Sequence, residues 1–199
     1  DNIEGARAKA EAGELCFGTV DTYLMYRLSA GKLFKTDITN ASRTMLFNIN
    51  TLRWDDELLK LFDIPKSLLP EVVHSDSCFG SLSELGDITI HAVLGDQQAA
   101  LFGQGCLEKG QLKSTYGTGC FIMSNVGDKP IHSDDGLLTT IGFSLNGKVY
   151  YAIEGSIYAS GTTVQWLRDN LQFFDKSDQS ETYLNDDGNA NNVLFIPAF

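Results

Sequence analysis

The stretch between residues 88 and 104 constrains the fold more than any other part of the sequence. Its first part, ITIHAVLGD, alternates apolar and polar residues and then becomes continuously apolar, which predicts a strand over 88–94 that enters a buried sheet. The following QQAALFG predicts a helix over 97–104. Because a strand leads directly into a helix through Gly95-Asp96, we expect an α/β fold.

Asp96 is the first candidate for chemistry because of its place at this junction. The carboxyl end of a strand is where α/β sheets bind their ligands, which would make Asp96 a functional carboxylate. A second interpretation is that Asp96 only caps the following helix, and the position of Asp96 alone does not distinguish the two interpretations. Gln97 and Gln98 shift the balance toward a ligand, because amides beside a carboxylate suit a hydroxyl-rich substrate.

Beyond residue 110 the pattern predicts mainly strands, followed by one helix. Asn146-Gly147 predicts a type I′ hairpin turn, because both residues tolerate a positive φ. The predicted elements are strands over 113–124, 137–145 and 148–154 and a helix over 156–171, whose apolar face carries Ile157, Val164, Leu167 and Leu171.

The residues before 85 predict mainly helices. One helix covers 3–12 and ends at Gly13, and a second is capped by Thr19. The apolar face of the second helix carries Val20, Tyr23, Leu24 and Leu28, and Gly31 follows as a stop. The segment GQGCLEKG marks the predicted boundary between two domain parts, 1–105 and 106–199, and the apolar end NNVLFIPAF predicts a chain cut inside a domain.

The composition excludes several classes of function. A net charge of −11 argues against a nucleic-acid or anionic-membrane surface, which would need clustered Lys and Arg. No stretch is long and apolar enough for a membrane span. The cysteines form no CxxC pair, so we predict no protein-held metal site and expect reduced thiols in a cytoplasmic protein. They are Cys16, Cys78, Cys106 and Cys120.

Two glycine-containing segments are the other candidate sites. In STYGTGCF, small residues allow the backbone to approach a ligand, and Thr118 could donate to a phosphate oxygen, although a tight turn or bulge explains the glycines nearly as well. In GSIYASGTTVQW, Gly161 lies inside the predicted helix, which indicates close packing or the close approach of a ligand. The acid pairs Asp134-Asp135 and Asp186-Asp187 are predicted to be solvated turns.

Taken in order, these segments resemble one family. FGTVDTYLMYRL, TDITNASRTMLFNINTLRWDDELL, GDQQAALFGQ, TYGTGCFIMSN and YAIEGSIYASGTTVQWLRD are similar to the FGGY carbohydrate kinases, and SRTMLFNI with GDQQAALFG and YGTGCF favours the glycerol kinases among them. The resemblance runs almost continuously from about residue 2 to residue 199.

The resemblance implies an actin-like ATPase fold, in which parts of two ribonuclease-H-like domains flank a cleft, and phosphoryl transfer from ATP to glycerol with Mg²⁺. Asp96 would be the catalytic base and a substrate ligand, with Gln97 and Phe121 as further glycerol contacts. The nucleotide contacts would be Thr118, Gly161 and Gln165. Residues 1–105 would be the later part of the glycerol-side domain and 106–199 the earlier part of the nucleotide-side domain. The complete protein would be a homo-oligomer.

The family's amino-terminal phosphate loop, its upstream glycerol ligands and its downstream adenosine segment are missing from this sequence, so we expect the chain alone to be inactive. Three alternatives stay open: another FGGY sugar or polyol kinase, a non-catalytic binding protein of the actin-like ATPase fold, and an acidic hydrolase that pairs Asp96 with a second carboxylate.

Overall fold

The computed structural model describes residues 3–184 and 192–196. Asp186-Asp187, one of the predicted solvated turns, lies outside the described residues, whereas Asp134-Asp135 lies in an exposed loop as expected. The helices are α1 (Ala6–Glu11), α2 (Val20–Leu28), α3 (Ile38–Ala41), α4 (Asp56–Leu61), α5 (Asp96–Gly103) and α6 (Gly161–Asp169), with short 3₁₀ helices at Lys66–Leu68, Ser83–Leu85 and Ser177–Tyr183.

The first half of the chain contains only short strands. Each pairs with one other strand: β1 with β4 in parallel, and β2 with β3 and β5 with β6 antiparallel. They are β1 (Lys35–Asp37), β2 (Phe47–Asn48), β3 (Arg53–Trp54), β4 (Glu71–Val73), β5 (Gly80–Leu82) and β6 (Ile88–Ile90).

The second half forms one four-stranded antiparallel sheet in the order β7-β8-β10-β9. The predicted turn between β9 and β10 is confirmed, with Asn146 at φ 52° and Gly147 at φ 76°. The strands are β7 (Leu112–Tyr116), β8 (Cys120–Gly127), β9 (Leu138–Leu145) and β10 (Lys148–Ile157).

Three predicted elements need correction. The strand over 88–94 ends at Ile90 and pairs antiparallel with β5 at an exposed position. Beyond Ile90 the backbone makes isolated hydrogen bonds in place of a strand ladder, since Val93 donates to the Ser75 carbonyl and the Gly95 carbonyl accepts from Ala99 of α5. The run 113–124 is two strands joined by a turn at 117–119. The helix over 156–171 begins only at Gly161, because the residues up to Ile157 pair with β8.

The apolar face predicted for α2 is also wrong. Thr19 is at the N-cap position, as predicted, but its side chain makes no capping hydrogen bond. Val20, Tyr23 and Leu24 are exposed. The helix instead buries Thr22 and Met25, since that side packs against β1. Tertiary contact therefore decides the orientation of α2, against its apolar pattern.

Two hydrophobic clusters join the halves and place the site. In the first cluster α3 and β2 contact the sheet, and in the second α5 contacts it. The start of α5 therefore lies beside the sheet, where Gln97 contacts Lys113 of the sheet. The clusters consist of Ile38, Ala41, Phe47, Ile141 and Tyr151, and of Leu101, Cys106, Met123, Phe143 and Ala152.

Candidate active site

Asp96 is the first residue of α5, and Gly95, in an extended conformation, is its N-cap residue. The Asp96 side chain is exposed, and its Oδ1 accepts a hydrogen bond of 2.8 Å from the backbone N–H of Gln97. Asp96 thus satisfies one free N–H of the helix start without being the N-cap itself. A negative charge is favoured at this end of a helix, and the carboxylate remains open to a ligand from solvent.

A buried threonine fixes the backbone just before Asp96. Thr39, in α3, accepts a hydrogen bond of 2.9 Å from the Gly95 N–H at its Oγ1. The same hydroxyl donates to the Asp37 carboxylate at 2.7 Å. Because Thr39 both donates and accepts, it connects the Gly95-Asp96 junction to the fully buried Asp37.

Asp37 is the N-cap of α3 and the centre of a buried network. Its carboxylate accepts from the backbone N–H groups of Thr39 and Asn40 at 2.9 Å and from the Ser75 hydroxyl at 2.7 Å. Burial raises the pKa of Asp37, while the hydrogen bonds from Asn40, Thr39 and Ser75 act in the opposite direction. The motif TDITNA contains a signal for this network, an Asp followed by polar residues at the start of a helix, which the sequence analysis missed.

Gln97 connects α5 to the sheet of the second half. Its Oε1 accepts a hydrogen bond from the Nζ of Lys113, which also donates to the Thr115 hydroxyl at 2.8 Å. Phe121 lies directly opposite Thr115 in the antiparallel pair of β7 and β8 and is half-buried. Residues directly opposite each other share a sheet face, so Phe121 lies on the same face of the sheet as the Lys113 and Thr115 side chains.

Gln98, the second glutamine of the motif, is buried and is not accessible to a substrate. It is 2% exposed, and its Nε2 donates to the Ile141 carbonyl at 3.4 Å. The expectation that both amides suit a substrate is therefore wrong for Gln98, because this side chain packs α5 against β9.

The turn at 117–119 and the start of α6 form a second group of candidate residues. The Thr118 carbonyl accepts from the Ser160 and Thr162 N–H groups at 2.9 and 3.2 Å, and the Gly117 carbonyl accepts from the Gly161 N–H at 3.0 Å. The Thr118 residue itself is exposed. The structure thus brings Thr118 and Gly161 together, and the turn interpretation of the glycines is confirmed.

Gly161 is the first residue of α6 rather than a residue inside a helix. A Cβ atom at this position would lie 2.5 Å from the Gly117 carbonyl oxygen, so close packing against the turn requires glycine here. A Cβ at Gly117, in contrast, would meet no atom closer than 3.9 Å. The space beside Gly117 is therefore open to a ligand, whereas the space beside Gly161 is occupied by the turn.

Gln165 lies one turn further along α6, four residues after Gly161, and is exposed. Residues at this spacing share a helix face. The candidate residues therefore fall into two groups. Asp96, Gln97 and Phe121 lie around the start of α5 and the facing strands, and Thr118, Gly161 and Gln165 lie around the turn and α6.

The described residues contain neither a protein-held metal site nor a membrane-spanning helix. Among residues 3–184 and 192–196, no group of three or more His, Cys, Asp and Glu side chains could hold a metal ion. Within the same residues, no helix has the length and apolar character needed to cross a membrane.

Comparison with protein-family models gives two matches that together cover most of the chain. Residues 1–103 match the N-terminal domain of the FGGY family of carbohydrate kinases. Residues 112–199 match the C-terminal domain of the same family.

Curated relatives and solved structures agree with these matches. Glycerol kinases of Alteromonas mediterranea and Oceanobacillus iheyensis are 55% identical over 202 residues and 52% identical over 203 residues, each match covering 100% of this chain. The chain spans 41% of the length of these relatives. The crystal structure of Plasmodium falciparum glycerol kinase with ADP is 40% identical, with a TM-score of 0.84 over 90% of this chain and 37% of that chain.

A structure of ligand-bound xylulose kinase from Lactobacillus acidophilus is 22% identical, with a TM-score of 0.69 over 81% of this chain and 33% of that chain, and shows the fold alone. The predicted α/β fold of the actin-like ATPase type, with parts of two domains, is confirmed by these matches. The chain belongs to the FGGY family of carbohydrate kinases.

Proposed function

We propose that this chain contributes to a kinase that transfers the γ-phosphoryl group of ATP to glycerol and produces glycerol 3-phosphate and ADP. The observation that carries the proposal is the exposed Asp96 carboxylate at the start of α5, beside Gln97, in a chain 52–55% identical to curated glycerol kinases. Residues 1–105 form the glycerol side and residues 106–199 the nucleotide side.

Asp96 acts as the general base in this proposal. A glycerol hydroxyl donates its proton to the Asp96 carboxylate while its oxygen bonds to the γ-phosphorus, and the bond from that phosphorus to the leaving ADP oxygen breaks. The Gln97 N–H holds one carboxylate oxygen, which leaves the other oxygen for the substrate. Positioning and charge neutralisation supply most of the acceleration in phosphoryl transfer, and the base adds roughly 10²–10⁴-fold.

Gln97 and Phe121 contact glycerol in this proposal. The Gln97 amide offers hydrogen bonds to a hydroxyl, and the half-buried Phe121 ring offers an apolar surface to the carbon skeleton. The hydrogen-bonded connection from Gln97 through Lys113 to Thr115, opposite Phe121, supports their assignment to one substrate.

Thr118, Gly161 and Gln165 serve the nucleotide. The open space beside Gly117 gives a phosphate access to the turn, and the exposed Thr118 and Gln165 are available as hydrogen-bonding partners. Gly161 supports the site by allowing α6 to approach the turn. The ADP bound in the Plasmodium falciparum relative supports nucleotide use by this chain.

Mg²⁺ enters as part of the nucleotide substrate. The described residues hold no acidic cluster that could bind a cation alone, and Mg²⁺ is commonly held by substrate phosphates with one or two carboxylates. The likenesses to xylulose and gluconate kinases are at 22% identity and carry the fold alone, so they do not favour a sugar substrate. The free thiols support a cytoplasmic location, and assembly into a homo-oligomer stays a prediction.

The test uses a chimeric kinase, defined as the Oceanobacillus iheyensis glycerol kinase in which the matched region is replaced by these 199 residues. We expect the chimeric kinase to phosphorylate glycerol, and Asp96→Asn to lower kcat roughly 10²–10⁴-fold while ATP binding remains. Asp87→Asn makes the same chemical change at an exposed position of the same half and should leave kcat within about twofold. Retention of more than a tenth of the turnover by Asp96→Asn would exclude Asp96 as the general base. A chimeric kinase that phosphorylates another polyol but not glycerol would overturn the assignment of glycerol as the substrate.

The chain by itself provides a second test. It holds the proposed base and some nucleotide contacts, and the segments that grip the phosphates in the resemblance are outside it, so charge neutralisation in the transition state would be incomplete. We expect no ADP release that depends on glycerol in a coupled assay on the 199-residue chain. ADP release in the presence of glycerol that is well above the release in a blank lacking glycerol would contradict this expectation.

A further inference from the structure

Lys113 is a buried lysine that the proposed reaction has not yet used. It lies in β7 and is 1% exposed. Its Nζ donates to Gln97 Oε1 and, at 2.8 Å, to the Thr115 hydroxyl. Burying an ammonium group is costly unless it is paired, and a hydrophobic residue of similar volume would pack a sheet at least as well. The presence of a charge at this position therefore points to a role beyond packing.

Two carboxylates offset part of the free-energy cost of burying the Lys113 ammonium group. Burial lowers the pKa of Lys113, while the charges of Glu154 and Asp96 raise it. Glu154 is 4% exposed and belongs to the same sheet face, since it pairs with Met123, which pairs with Lys113. Glu154 is itself held by Arg43 of the first half at 2.8 Å. The ammonium of Lys113 thus lies in the field of the buried Glu154 carboxylate, which is paired with the exposed Arg43, and of the proposed base.

The chemistry of the contact fixes the orientation of the Gln97 amide. A lysine ammonium has three donors and no acceptor, so the Gln97 atom that faces it must be the carbonyl oxygen. The NH₂ group of Gln97 then points away from Lys113 as a donor. A hydroxyl that gives its proton to Asp96 has two lone pairs on its oxygen, so it can accept a positioning hydrogen bond from the amide NH₂ at one and attack with the other.

We infer that Lys113 is a positioning residue for the acceptor substrate: it holds the Gln97 side-chain carbonyl so that the Gln97 NH₂ is presented to the hydroxyl that attacks beside Asp96. The inference rests on the proposed function for the identity of the substrate, and the orientation of Gln97 can be tested without any substrate. A purely structural role would make Lys113 only one of the contacts between the halves, with equal effects on both substrates.

The kinetic test compares variants of the chimeric kinase. Lys113→Met keeps the length of the side chain and removes its charge and donors, Lys113→Arg restores a donor, and Lys148→Met is the control, an exposed lysine of the same sheet. We expect Lys113→Met to raise the KM for glycerol about tenfold and the KM for ATP less than twofold, Lys113→Arg to recover part of the loss, and Lys148→Met to change neither. In a Gln97→Ala background, Lys113→Met should add less than twofold. Equal effects on both substrates, or full additivity with Gln97→Ala, would overturn the inference.

The substrate-free test uses the 199-residue chain and the side-chain amide resonances of ¹⁵N-labelled glutamine. With Lys113 present, the Gln97 NH₂ resonances should be displaced from those of an exposed glutamine, because the held carbonyl keeps the NH₂ group in one fixed environment. Lys113→Met should bring these resonances to those of an exposed glutamine, and Lys148→Met should leave them unchanged. Unchanged Gln97 resonances in a folded Lys113→Met chain would reject the inference even where glycerol phosphorylation holds. A chimeric kinase inactive on glycerol would reject the proposed function and leave this readout to decide the role of Lys113.

Discussion

The residues before 104 and the four-stranded sheet after 111 are stabilised in different ways. In the first half the strands have two or three residues and pair in twos, and buried side chains such as Asp37 supply much of the hydrogen bonding. In the second half the strands have five to ten residues and long backbone ladders, with one register shift in each pairing of β10 beside Tyr151. Loss of one side-chain acceptor should therefore damage the first half more, and backbone conformation should matter more in the second.

The two halves also present their candidate residues differently. Asp96 is held indirectly, through the Gly95 N–H and the Thr39 hydroxyl, which depends on Asp37. Thr118 is held by its own backbone carbonyl against α6. Substitutions that disturb side-chain networks should consequently affect the Asp96 end, whereas substitutions that add volume near the backbone should affect the Thr118 end.

The largest effect on stability is expected at Asp37. Asp37→Ala leaves the buried donors of Thr39, Asn40 and Ser75 without their acceptor, so we expect a loss of about 4 kcal/mol in the free energy of unfolding, near the upper end for a single substitution. Urea denaturation of the chain, followed by tryptophan fluorescence, measures the loss.

The control for Asp37 comes from the other half. Asp128→Ala removes an exposed carboxylate after β8 and should change the free energy of unfolding by less than about 0.5 kcal/mol. Thr39→Val, which removes the acceptor for the Gly95 N–H, should cost about 2 kcal/mol. Similar losses in Asp37→Ala and Asp128→Ala would mean that the first half does not depend on its side-chain network.

The next largest effect is expected on the KM for ATP, from substitutions at Gly161 and Gln165 in the second half. A valine at Gly161 would collide with the Gly117 carbonyl, where even a Cβ would lie at 2.5 Å, so Gly161→Val in the chimeric kinase should raise the KM for ATP more than tenfold. Gln165→Ala removes only one exposed hydrogen-bonding group and should raise it roughly threefold. Steady-state kinetics with ATP and glycerol varied separately measure both values.

Gly103→Val is the matched control, because a Cβ at Gly103 meets no atom within 4 Å. It should leave the KM for ATP within about twofold. A rise in the KM for glycerol alone, in either Gly161→Val or Gln165→Ala, would contradict the assignment of these residues to the nucleotide side.

The sequence predicts most accurately those parts of the fold that depend on signals within a few neighbouring residues. Asn146-Gly147 specifies a hairpin within two residues, and the strands on both sides were predicted to within a few positions. The start of α5 was also close, since a glycine precedes a run with helical periodicity. Each of these signals acts over a few residues and needs no distant partner.

The parts that failed depend on distant contacts. The apolar pattern of α2 favours one face, and packing against β1 buries the other, with Met25 only 3% exposed. The residues at 156–157 carry no signal that separates a strand from a helix until β8 pairs with them. Lys113 could be placed in a strand from the sequence, but its burial against Gln97 requires the packing of α5 on the sheet.

The smallest effect on the free energy of unfolding is expected at the turn between β9 and β10. Two substitutions at Asn146 separate the contribution of backbone conformation from that of the side chain. Asn146 has φ 52°, a conformation that costs an alanine about 1 kcal/mol, so Asn146→Ala should lower the free energy of unfolding by about that amount. Asn146→Gly removes the same side chain without this cost and should change it by less than about 0.5 kcal/mol. Both variants keep the backbone N–H that donates to Asp76 at 2.6 Å, so that contact cannot explain a difference between them. Denaturation curves of the two variants measured together test the comparison: equal losses would mean that the Asn146 side chain stabilises this half, and a loss confined to alanine would assign the effect to backbone conformation.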